Sequence, residues 1–178
     1  MKSIAGRWAL VTGASRGIGQ KIVTGLAEQG CNIVLHARRV EHLDETRAIL
    51  EPTGVETAVA AGDLAGEDGV KRVVQGVLAG PGHIDILYNN AAIQNDWQSV
   101  WEIPRSVWEE VFQINVYALV ALCNAFAPGM VERSYGRIVN LTSGIIDTPN
   151  LSPYGASKAA VDKYTEDLAV ALSGTNVL

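Results

Sequence analysis

Short apolar runs alternate with longer amphipathic segments along the whole chain. The first run, residues 8–12, ends in glycines, and the segment after it places Ile18, Ile22 and Leu26 at helical spacing. This order predicts a strand, a tight turn and a helix over residues 17–29. The same alternation predicts later strands over residues 32–36, 55–60, 84–88 and 137–142. Later helices are predicted over residues 41–50, 67–78, 106–132 and 154–172, with an interruption or kink of the long helix near Pro128.

Five alternations of strand and helix, with strands that are apolar throughout, are typical of a parallel sheet covered by helices on both faces. We therefore predict a doubly wound α/β sheet, with residues 176–178 at the start of a sixth strand. No change in composition, linker or repeat divides the sequence, so a single domain over residues 1–178 is expected. Such a sheet binds its ligand beyond the carboxyl ends of its strands, and the chemistry is expected in the loops there.

Composition narrows the classes of function. The 178 residues are 48% hydrophobic and 19% charged with a net charge of −5, which fits a globular protein without a basic field for nucleic acid or anionic lipid. No apolar run approaches the roughly 20 residues of a membrane span, and no signal-peptide core is present, so a cytoplasmic location is expected.

The cysteines and histidines show no metal-binding or disulfide pattern. Cys31 and Cys123 are expected to be buried free thiols. His36, His42 and His83 lack metal-ligand spacing, so surface or packing roles are expected and no metal site is predicted.

A glycine-rich turn lies between the first predicted strand and the first predicted helix. Its glycines allow a sharp backbone turn, and the N–H groups at the start of the helix can hold a pyrophosphate. The spacing, Gly-x-x-x-Gly-x-Gly, differs from the Gly-x-Gly-x-x-Gly dinucleotide pattern and lacks the Lys-Ser/Thr ending of a triphosphatase loop. A turn built for backbone reasons alone is the alternative. The candidate cofactor-binding residues of this turn are Gly13, Ser15, Arg16, Gly17, Ile18 and Gly19.

The end of the second predicted strand indicates which dinucleotide is favoured. An acid there would bind the 2′-hydroxyl of the adenosine ribose, but the strand ends in His-Ala-Arg-Arg at residues 36–39. Arg38, together with Arg16, can form charge-assisted hydrogen bonds with a 2′-phosphate. NADP(H) is therefore the preferred cofactor, with NAD(H) possible. The alternative is that Arg38 and Arg39 are solvated charges at a helix entrance.

Four polar residues near the ends of the later elements are candidates for catalysis. Tyr154 and Lys158 are spaced i, i+4 on one helix face, where the cation favours the ionised phenol and makes it a usable acid or base. Ser143, at the end of the fifth predicted strand, can orient a carbonyl, although serines at such positions usually form turns. Asn115 lies in an apolar helical segment, where either a functional role or a buried structural hydrogen bond would satisfy its amide.

With these motifs in this order, the chain resembles the short-chain dehydrogenase/reductase family, of the classical type. The resemblance runs from about Gly6 to the last residue. Its motifs are the Thr-Gly-x-x-x-Gly-x-Gly loop at residues 12–19, Asp63-Leu64 after the third strand, a near match to Asn-Asn-Ala-Gly at residues 89–92, and the tetrad Asn115, Ser143, Tyr154 and Lys158. The resemblance implies a Rossmann-like fold and an oxidoreductase that transfers a hydride between NADP(H) and a small alcohol or carbonyl substrate.

The resemblance also implies a role for each residue of the tetrad. Ser143 positions the carbonyl or hydroxyl, and Tyr154 transfers the proton. Lys158 favours the ionised phenol and binds the nicotinamide ribose, and Asn115 holds a water in a proton relay. The remaining cofactor contacts that it implies are Asp63 at the adenine, with Leu64, Asn90 and Ala91 lining the cofactor.

The sequence departs from the family at its C-terminal end. Members continue through a sixth strand, a substrate-covering segment and a seventh strand, so the C-terminal strands and substrate lid are expected to be missing. We therefore interpret the sequence as a fragment of a longer reductase, and a catalytically inactive nucleotide-binding module is the alternative function.

Relatives associate through the helices at residues 106–132 and 154–172, so a homo-oligomer is predicted. Trp97 and Trp101 are expected to pack rather than to wall a substrate pocket.

Overall fold

A five-stranded parallel sheet forms the centre of the computed structural model, which describes residues 3–145 and 147–178. The strands are β1 (Trp8–Val11), β2 (Asn32–Leu35), β3 (Thr57–Val59), β4 (Ile86–Asn89) and β5 (Arg137–Asn140). The helices are α1 (Gly17–Ala27), α2 (Asp44–Leu50), α3 (Glu67–Ala79), α4 (Arg105–Phe112), α5 (Ala118–Glu132) and α6 (Ser152–Ala171). The strand order β3-β2-β1-β4-β5 confirms the predicted Rossmann-like α/β fold.

The three central strands β1, β2 and β4 are buried on both faces because their apolar side chains alternate between two cores, whereas the edge strands β3 and β5 are partly exposed. On one face, Leu10 of β1 packs in the cluster that contains Val73 of α3 and Leu122 of α5. On the other face, Val11 packs in the cluster that contains Val23 of α1 and Leu43 beside α2. Two covered faces leave the carboxyl edge of the sheet as the place where loops can form a site.

The strand order reverses at β1, which pairs with β2 on one side and with β4 on the other. The chain leaves β1 into α1 on one side of the sheet, whereas β4 and β5 continue the sheet in the opposite direction. The loops after β1 and β4 therefore separate at their carboxyl ends, and a crevice at this point is where doubly wound sheets bind ligands.

Residues 176–178 lie along the outer edge of β5, as the prediction of a sixth strand requires. Val177 forms a parallel bridge with Gly136. The Ile138 N–H donates to the Leu178 carbonyl at 2.7 Å, and the Leu178 N–H donates to the Gly136 carbonyl at 3.1 Å.

The two cysteines are buried and free, also as predicted. Burial raises the pKa of Cys31 to about 12 and that of Cys123 to about 11.

The long helix differs from the prediction in where it is irregular. No break occurs at Pro128, which lies within α5. Pro128 and Asn124, whose carbonyl would have bonded its missing N–H, both face solvent, so water can take the place of that hydrogen bond. The irregular turn is instead the π-helical segment Gln113–Tyr117 between α4 and α5.

The combined helical segment Arg105–Glu132 is long and apolar enough to cross a membrane, judged by length and composition alone. Helices in the core of a globular protein meet the same two criteria.

The loop after β4 corrects a second prediction. Trp97 is 69% exposed and Trp101 is 91% exposed, so neither ring packs against the rest of the described chain as expected. Both lie in a segment without regular structure, where no opposing element covers them. Trp108, by contrast, packs against Phe112 within α4, with the ring centroids 6.3 Å apart.

Candidate active site

The glycine turn after β1 is tight because its glycines occupy positions that other residues cannot. Gly13 and Gly17 have φ angles of +66° and +60°, in the left-handed region that favours glycine. A Cβ atom on Gly19 would lie 2.1 Å from the Gly13 carbonyl oxygen and 2.7 Å from the Asn90 amide nitrogen. The first turn of α1 therefore rests directly on the turn that precedes it.

The N-terminus of α1 has the features of an anion site. Arg16 is the N-cap residue and makes no side-chain hydrogen bond to the helix, and the first turn contains no acidic residue. The first N–H groups of a helix have no partner within it, and the helix dipole favours negative charge there. These groups are hydrogen-bond donors suited to a diphosphate. Ile18, in the same turn, is 64% exposed, so it presents an apolar side chain beside the donors.

Thr12 and Asn90 fix the turn to the neighbouring strand β4. The buried Thr12 hydroxyl oxygen accepts the N–H groups of Asn90 and Ala91, both at 3.0 Å, and donates to the Tyr88 carbonyl at 3.3 Å. In return, the Asn90 amide donates to the carbonyls of Thr12 at 2.8 Å and Gly13 at 3.2 Å. The Asn90 side chain thus shapes the turn, and its predicted contact with a cofactor stays a prediction.

His36 and Thr46 fix the other side of the same turn. The Gly13 N–H donates to His36 Nδ1 at 3.0 Å, and His36 Nε2 lies 2.9 Å from the Gly62 carbonyl oxygen. The Thr46 hydroxyl, fully buried on α2, donates to the Ala14 carbonyl at 3.0 Å. His36 is 3% exposed, and burial lowers its pKa even though the bond to Gly62 and the charge of Asp63 oppose that shift. The burial of His36 agrees with the packing role that was one of the two expected, and its two ring hydrogen bonds add contacts with the turn that the sequence did not indicate.

A polar cavity of about 430 Å³ lies beyond the ends of β2 and β3. Its lining residues are Arg38, Arg39, His42, Asp63 and Arg72. Arg38 is thus placed with three other basic side chains, whereas Arg16, its predicted partner, does not line this cavity. Asp63 is exposed and its carboxylate accepts the Ala65 N–H at 3.0 Å, while Leu64 is buried in the core. The basic lining is suited to a phosphate monoester.

Lys158 connects α6 to the end of β5. Its ammonium is buried, with the side chain 4% exposed, and Nζ donates to the Leu141 carbonyl at 2.7 Å. The same Nζ lies 5.8 Å from the centre of the Tyr154 ring. Burial lowers the pKa of Lys158, and the carboxylate of Asp162 opposes that shift. Within the described residues, Leu141 provides the one hydrogen-bond acceptor for an ammonium with three donors, so two donors remain for a ligand or for Tyr154.

Asn115 lies in the π-helical turn and its polar atoms all have partners. Its Oδ1 accepts the Ile93 N–H at 2.8 Å, and its Nδ2 donates to the Ile93 carbonyl at 2.9 Å and to Ser157 Oγ at 3.0 Å. Ser157 Oγ in turn donates to the Tyr154 carbonyl at 2.7 Å. The side chain therefore supports the first turn of α6, as the structural alternative proposed. Its predicted role in holding a relay water stays a prediction.

Three of the four tetrad residues lie close together, two of them connected through Ser157. Asn115 reaches the backbone of Tyr154 through Ser157, and Tyr154 lies near the ammonium of Lys158. Ser143 follows Leu141 by two residues, so Lys158 contacts its segment rather than its side chain. The half-buried Ser143 hydroxyl accepts the Ile145 N–H at 3.3 Å, a turn contact that leaves its proton free to donate.

A family model described as short chain dehydrogenase matches residues 7–178, which is nearly the entire chain. The chain belongs to the short-chain dehydrogenase family. This confirms the family predicted from the glycine loop and the tetrad.

Individual members of the short-chain dehydrogenase family are similar over most of this chain. Gluconate 5-dehydrogenase of Gluconobacter oxydans is 38% identical over 169 residues, which are 94% of this chain and 66% of that protein. Two other curated members are covered over 61% and 58% of their lengths. The chain thus spans about 60% of the length of these curated relatives.

Solved short-chain dehydrogenase structures share the fold closely. A metagenomic short-chain oxidoreductase in complex with NADP superposes with a TM-score of 0.92 at 32% identity, covering 99% of this chain and 80% of that one. NAD⁺-bound xylitol dehydrogenase superposes with a TM-score of 0.91 at 35% identity, covering 99% and 68%. The family therefore includes members of this shape in complex with either dinucleotide.

The residues that sequence reasoning missed act on the glycine turn from other elements. Thr46 and His36 lie more than 20 positions from the turn residues that they contact, and nothing in their local sequence indicates these contacts. Thr12 was visible as the first residue of the family loop, but its function as acceptor for two amides was not. Arg72 joins the basic cavity from α3, far from Arg38 in sequence.

Thr12→Val is expected to lower the free energy of unfolding by about 2–4 kcal/mol, because valine keeps the shape but leaves two amides without their acceptor. Urea unfolding monitored by circular dichroism measures this change. Thr24→Val on α1 is the matched control, since its hydroxyl only donates to the Gln20 carbonyl four residues earlier. Equal effects of the two substitutions would show that the Thr12 contacts do not hold the turn.

Proposed function

We propose that this chain is the cofactor-binding and proton-transferring part of an oxidoreductase that moves a hydride between NADP(H) and an alcohol or carbonyl substrate. The observation that carries the proposal is the buried Lys158 ammonium, which lies beside Tyr154 and has two donors without an acceptor among residues 3–145 and 147–178. A buried cation that is only partly satisfied is costly, so its donors suit a ligand at this edge of the sheet.

The described residues fit a nicotinamide dinucleotide along the carboxyl edge of the sheet. The uncapped N-terminus of α1 suits the diphosphate, and the basic cavity at Arg38 suits the phosphate of NADP(H). Lys158 of α6, whose ammonium reaches the end of β5, suits the ribose of the nicotinamide. When bound, the nicotinamide supplies or accepts the hydride.

Proton transfer falls to Tyr154. In the direction of reduction, its hydroxyl donates a proton to the carbonyl oxygen, and in oxidation the phenolate takes a proton from the alcohol. Lys158 stabilises the phenolate through its charge. Ser143 donates a hydrogen bond to the substrate oxygen and thereby orients it. Asn115 and Ser157 hold the backbone of Tyr154 in place.

A spectrophotometric screen of NADPH oxidation tests this function. Because the relatives named above are a gluconate 5-dehydrogenase and a xylitol dehydrogenase, keto acids and ketoses derived from polyols head the panel, followed by simple ketones. Consumption of NADPH that depends on a carbonyl compound is expected. Saturable dinucleotide binding with no turnover on any compound would favour the nucleotide-binding module instead.

Arg38→Ala is expected to weaken NADPH binding by roughly 10–100-fold, since a hydrogen bond to a charged group contributes about 1.5–3 kcal/mol. NADH, which has no 2′-phosphate, should bind within about twofold of its original affinity. Fluorescence titration with each dinucleotide measures both effects. Arg47→Ala, an exposed arginine of α2 outside the cavity, controls for long-range attraction of anions.

Two results would contradict the preference for NADP(H). One is equal or tighter binding of NADH by the unmodified chain. The other is the same loss of affinity for both dinucleotides on removal of Arg38. Either result would mean that Arg38 is a solvated charge beside the site.

The predicted homo-oligomer belongs to this proposal as well. Tyr117 lies on the helical segment Arg105–Glu132 and is 57% exposed, and Val170 on α6 is 75% exposed. Apolar side chains at these positions fit helices that pack against a second copy. Sedimentation equilibrium would detect such a dimer, and a monomer at all concentrations would contradict it.

A further inference from the structure

His36 is a buried histidine that the proposed reaction does not use. It follows β2 directly, and both of its ring nitrogens and its backbone carbonyl have hydrogen-bond partners. Two of those partners are successive amides of the glycine turn, because the Gly13 N–H donates to the ring and the Ala14 N–H donates to the carbonyl at 2.8 Å. The one residue that follows β2 therefore holds both amides.

These partners determine which form of the ring fits. The Gly62 carbonyl can only accept, so Nε2 must carry the proton of that hydrogen bond. The Gly13 N–H can only donate, so Nδ1 must have a free lone pair. The neutral Nε2–H tautomer satisfies both conditions. An imidazolium ring would place a second N–H opposite the Gly13 N–H, and that hydrogen bond would be lost.

Loss of this bond would act directly on the anion site. Gly13 is in the left-handed conformation, and its carbonyl oxygen lies directly beneath the position of a Gly19 Cβ. The Gly13 N–H and the Gly13 carbonyl belong to the two peptide units that meet at the Gly13 Cα, so rotation of the first unit displaces the second and, with it, the support for the first turn of α1. The N–H groups of that turn are the proposed donors to the diphosphate.

We propose that His36 is a positioning residue of the cofactor turn, whose neutral ring holds the Gly13 amide in place and whose protonation releases the turn and weakens dinucleotide binding. The inference rests on the proposed function, since it requires that the turn bind a dinucleotide. Protons and the dinucleotide would then compete for the protein, although they bind at different atoms.

The charges around His36 fix the direction of the effect. Asp63, which follows Gly62, favours the protonated ring, but burial outweighs it and lowers the pKa of His36 below its ordinary value near 6.5. The other ionisable side chains close by in sequence or in the cavity beside Asp63 are all of basic residues: Arg38, Arg39, His42 and Arg72. Affinity should accordingly be constant at and above about pH 6.5 and should fall in more acid solution.

The test is a calorimetric titration of the protein with NAD⁺ and NADP⁺ between pH 5 and pH 8. NAD⁺ is included because it lacks the 2′-phosphate, a group that itself gains a proton near pH 6. In the unmodified protein we expect both affinities to fall with acid pH, by up to roughly tenfold per pH unit below the pKa of His36. His36→Asn should remove this fall for NAD⁺, because an amide oxygen can accept the Gly13 N–H and does not titrate here.

Two further variants separate positioning from general stability. His36→Leu removes the acceptor, and we expect roughly tenfold or greater weakening at every pH, because the Gly13 N–H loses its partner. His83→Asn removes a histidine beside Asp85, at the opposite edge of the sheet, and should leave the profile unchanged. A merely structural His36 would lower the melting temperature of the leucine variant and leave the affinity of the folded protein, and its pH profile, as they were.

Nitrogen-15 NMR of the His36 ring measures its protonation state directly and so tests the inference without any cofactor. At pH 7.5 we expect a protonated Nε2 and an unprotonated Nδ1 for His36, with a coupling to the Gly13 amide across the hydrogen bond. A protonated Nδ1 at this pH would overturn the proposal, and so would a pH profile for NAD⁺ that His36→Asn does not change. Failure of the unmodified protein to bind either dinucleotide at pH 7.5 would instead overturn both the proposed function and this inference.

Discussion

Gly19→Ala is expected to abolish most dinucleotide binding and to lower the free energy of unfolding by about 1–3 kcal/mol, the range for forcing extra atoms into a packed position. The new Cβ would lie 2.1 Å from the Gly13 carbonyl oxygen, a backbone atom that has no flexible end to move aside. Relief requires α1 to move away from the turn. The N–H donors of its first turn would move with it.

A glycine elsewhere in the same helix provides the control. A Cβ on Gly25 would meet no atom within 4 Å, so Gly25→Ala should bind the dinucleotide normally and gain up to about 1 kcal/mol from helix propensity. Calorimetric titration with NADPH and urea unfolding of both variants measure the two effects. Normal NADPH binding by the Gly19 variant would mean that the turn is not the diphosphate site.

Tyr154→Phe is expected to reduce turnover by roughly 10²–10⁴-fold while NADPH binding changes little, because the substitution removes only the proton donor. The ring remains beside Lys158, and the hydrogen bond from Ser157 is to the Tyr154 backbone, which phenylalanine retains. Steady-state rates on the best carbonyl compound of the screen, together with an NADPH titration, measure the two quantities.

Tyr164→Phe is the matched control for this prediction. Tyr164 lies on the same helix, with its hydroxyl buried near the Cys123 thiol and away from the carboxyl edge of the sheet. Its removal should leave turnover within about threefold, the scale of an ordinary substitution that adds no cavity. Retention of full activity by the Tyr154 variant would rule out the phenol as the proton donor.

The strands, the helices and the location of the site at the carboxyl edge of the sheet were predictable from the sequence because they depend on local patterns. Buried parallel strands are continuously apolar, and a glycine turn after the first strand marks the start of α1. The boundaries were less predictable, as at β3, which is three residues long where six were expected, because strand ends depend on pairing with neighbours.

The rest of the site depends on contacts between distant parts of the chain. His36, which follows β2, is 23 residues from Gly13 in the sequence, and only the parallel register of β1 and β2 brings the two together. The position of the helix irregularity could not be foreseen either. Proline is a strong local signal, but Pro128 faces solvent, whereas the π turn at Gln113–Tyr117 accompanies the burial of Asn115 against Ile93.

A crystal structure of the protein with NADPH would test the central claim most directly. We expect the diphosphate at the N-terminus of α1 and the 2′-phosphate in the cavity of Arg38. The hydroxyls of the nicotinamide ribose should lie within hydrogen-bond distance of Lys158 Nζ, with the nicotinamide facing Tyr154. A dinucleotide bound elsewhere, or one whose nicotinamide ribose lies away from Lys158, would contradict the proposed site and its chemistry.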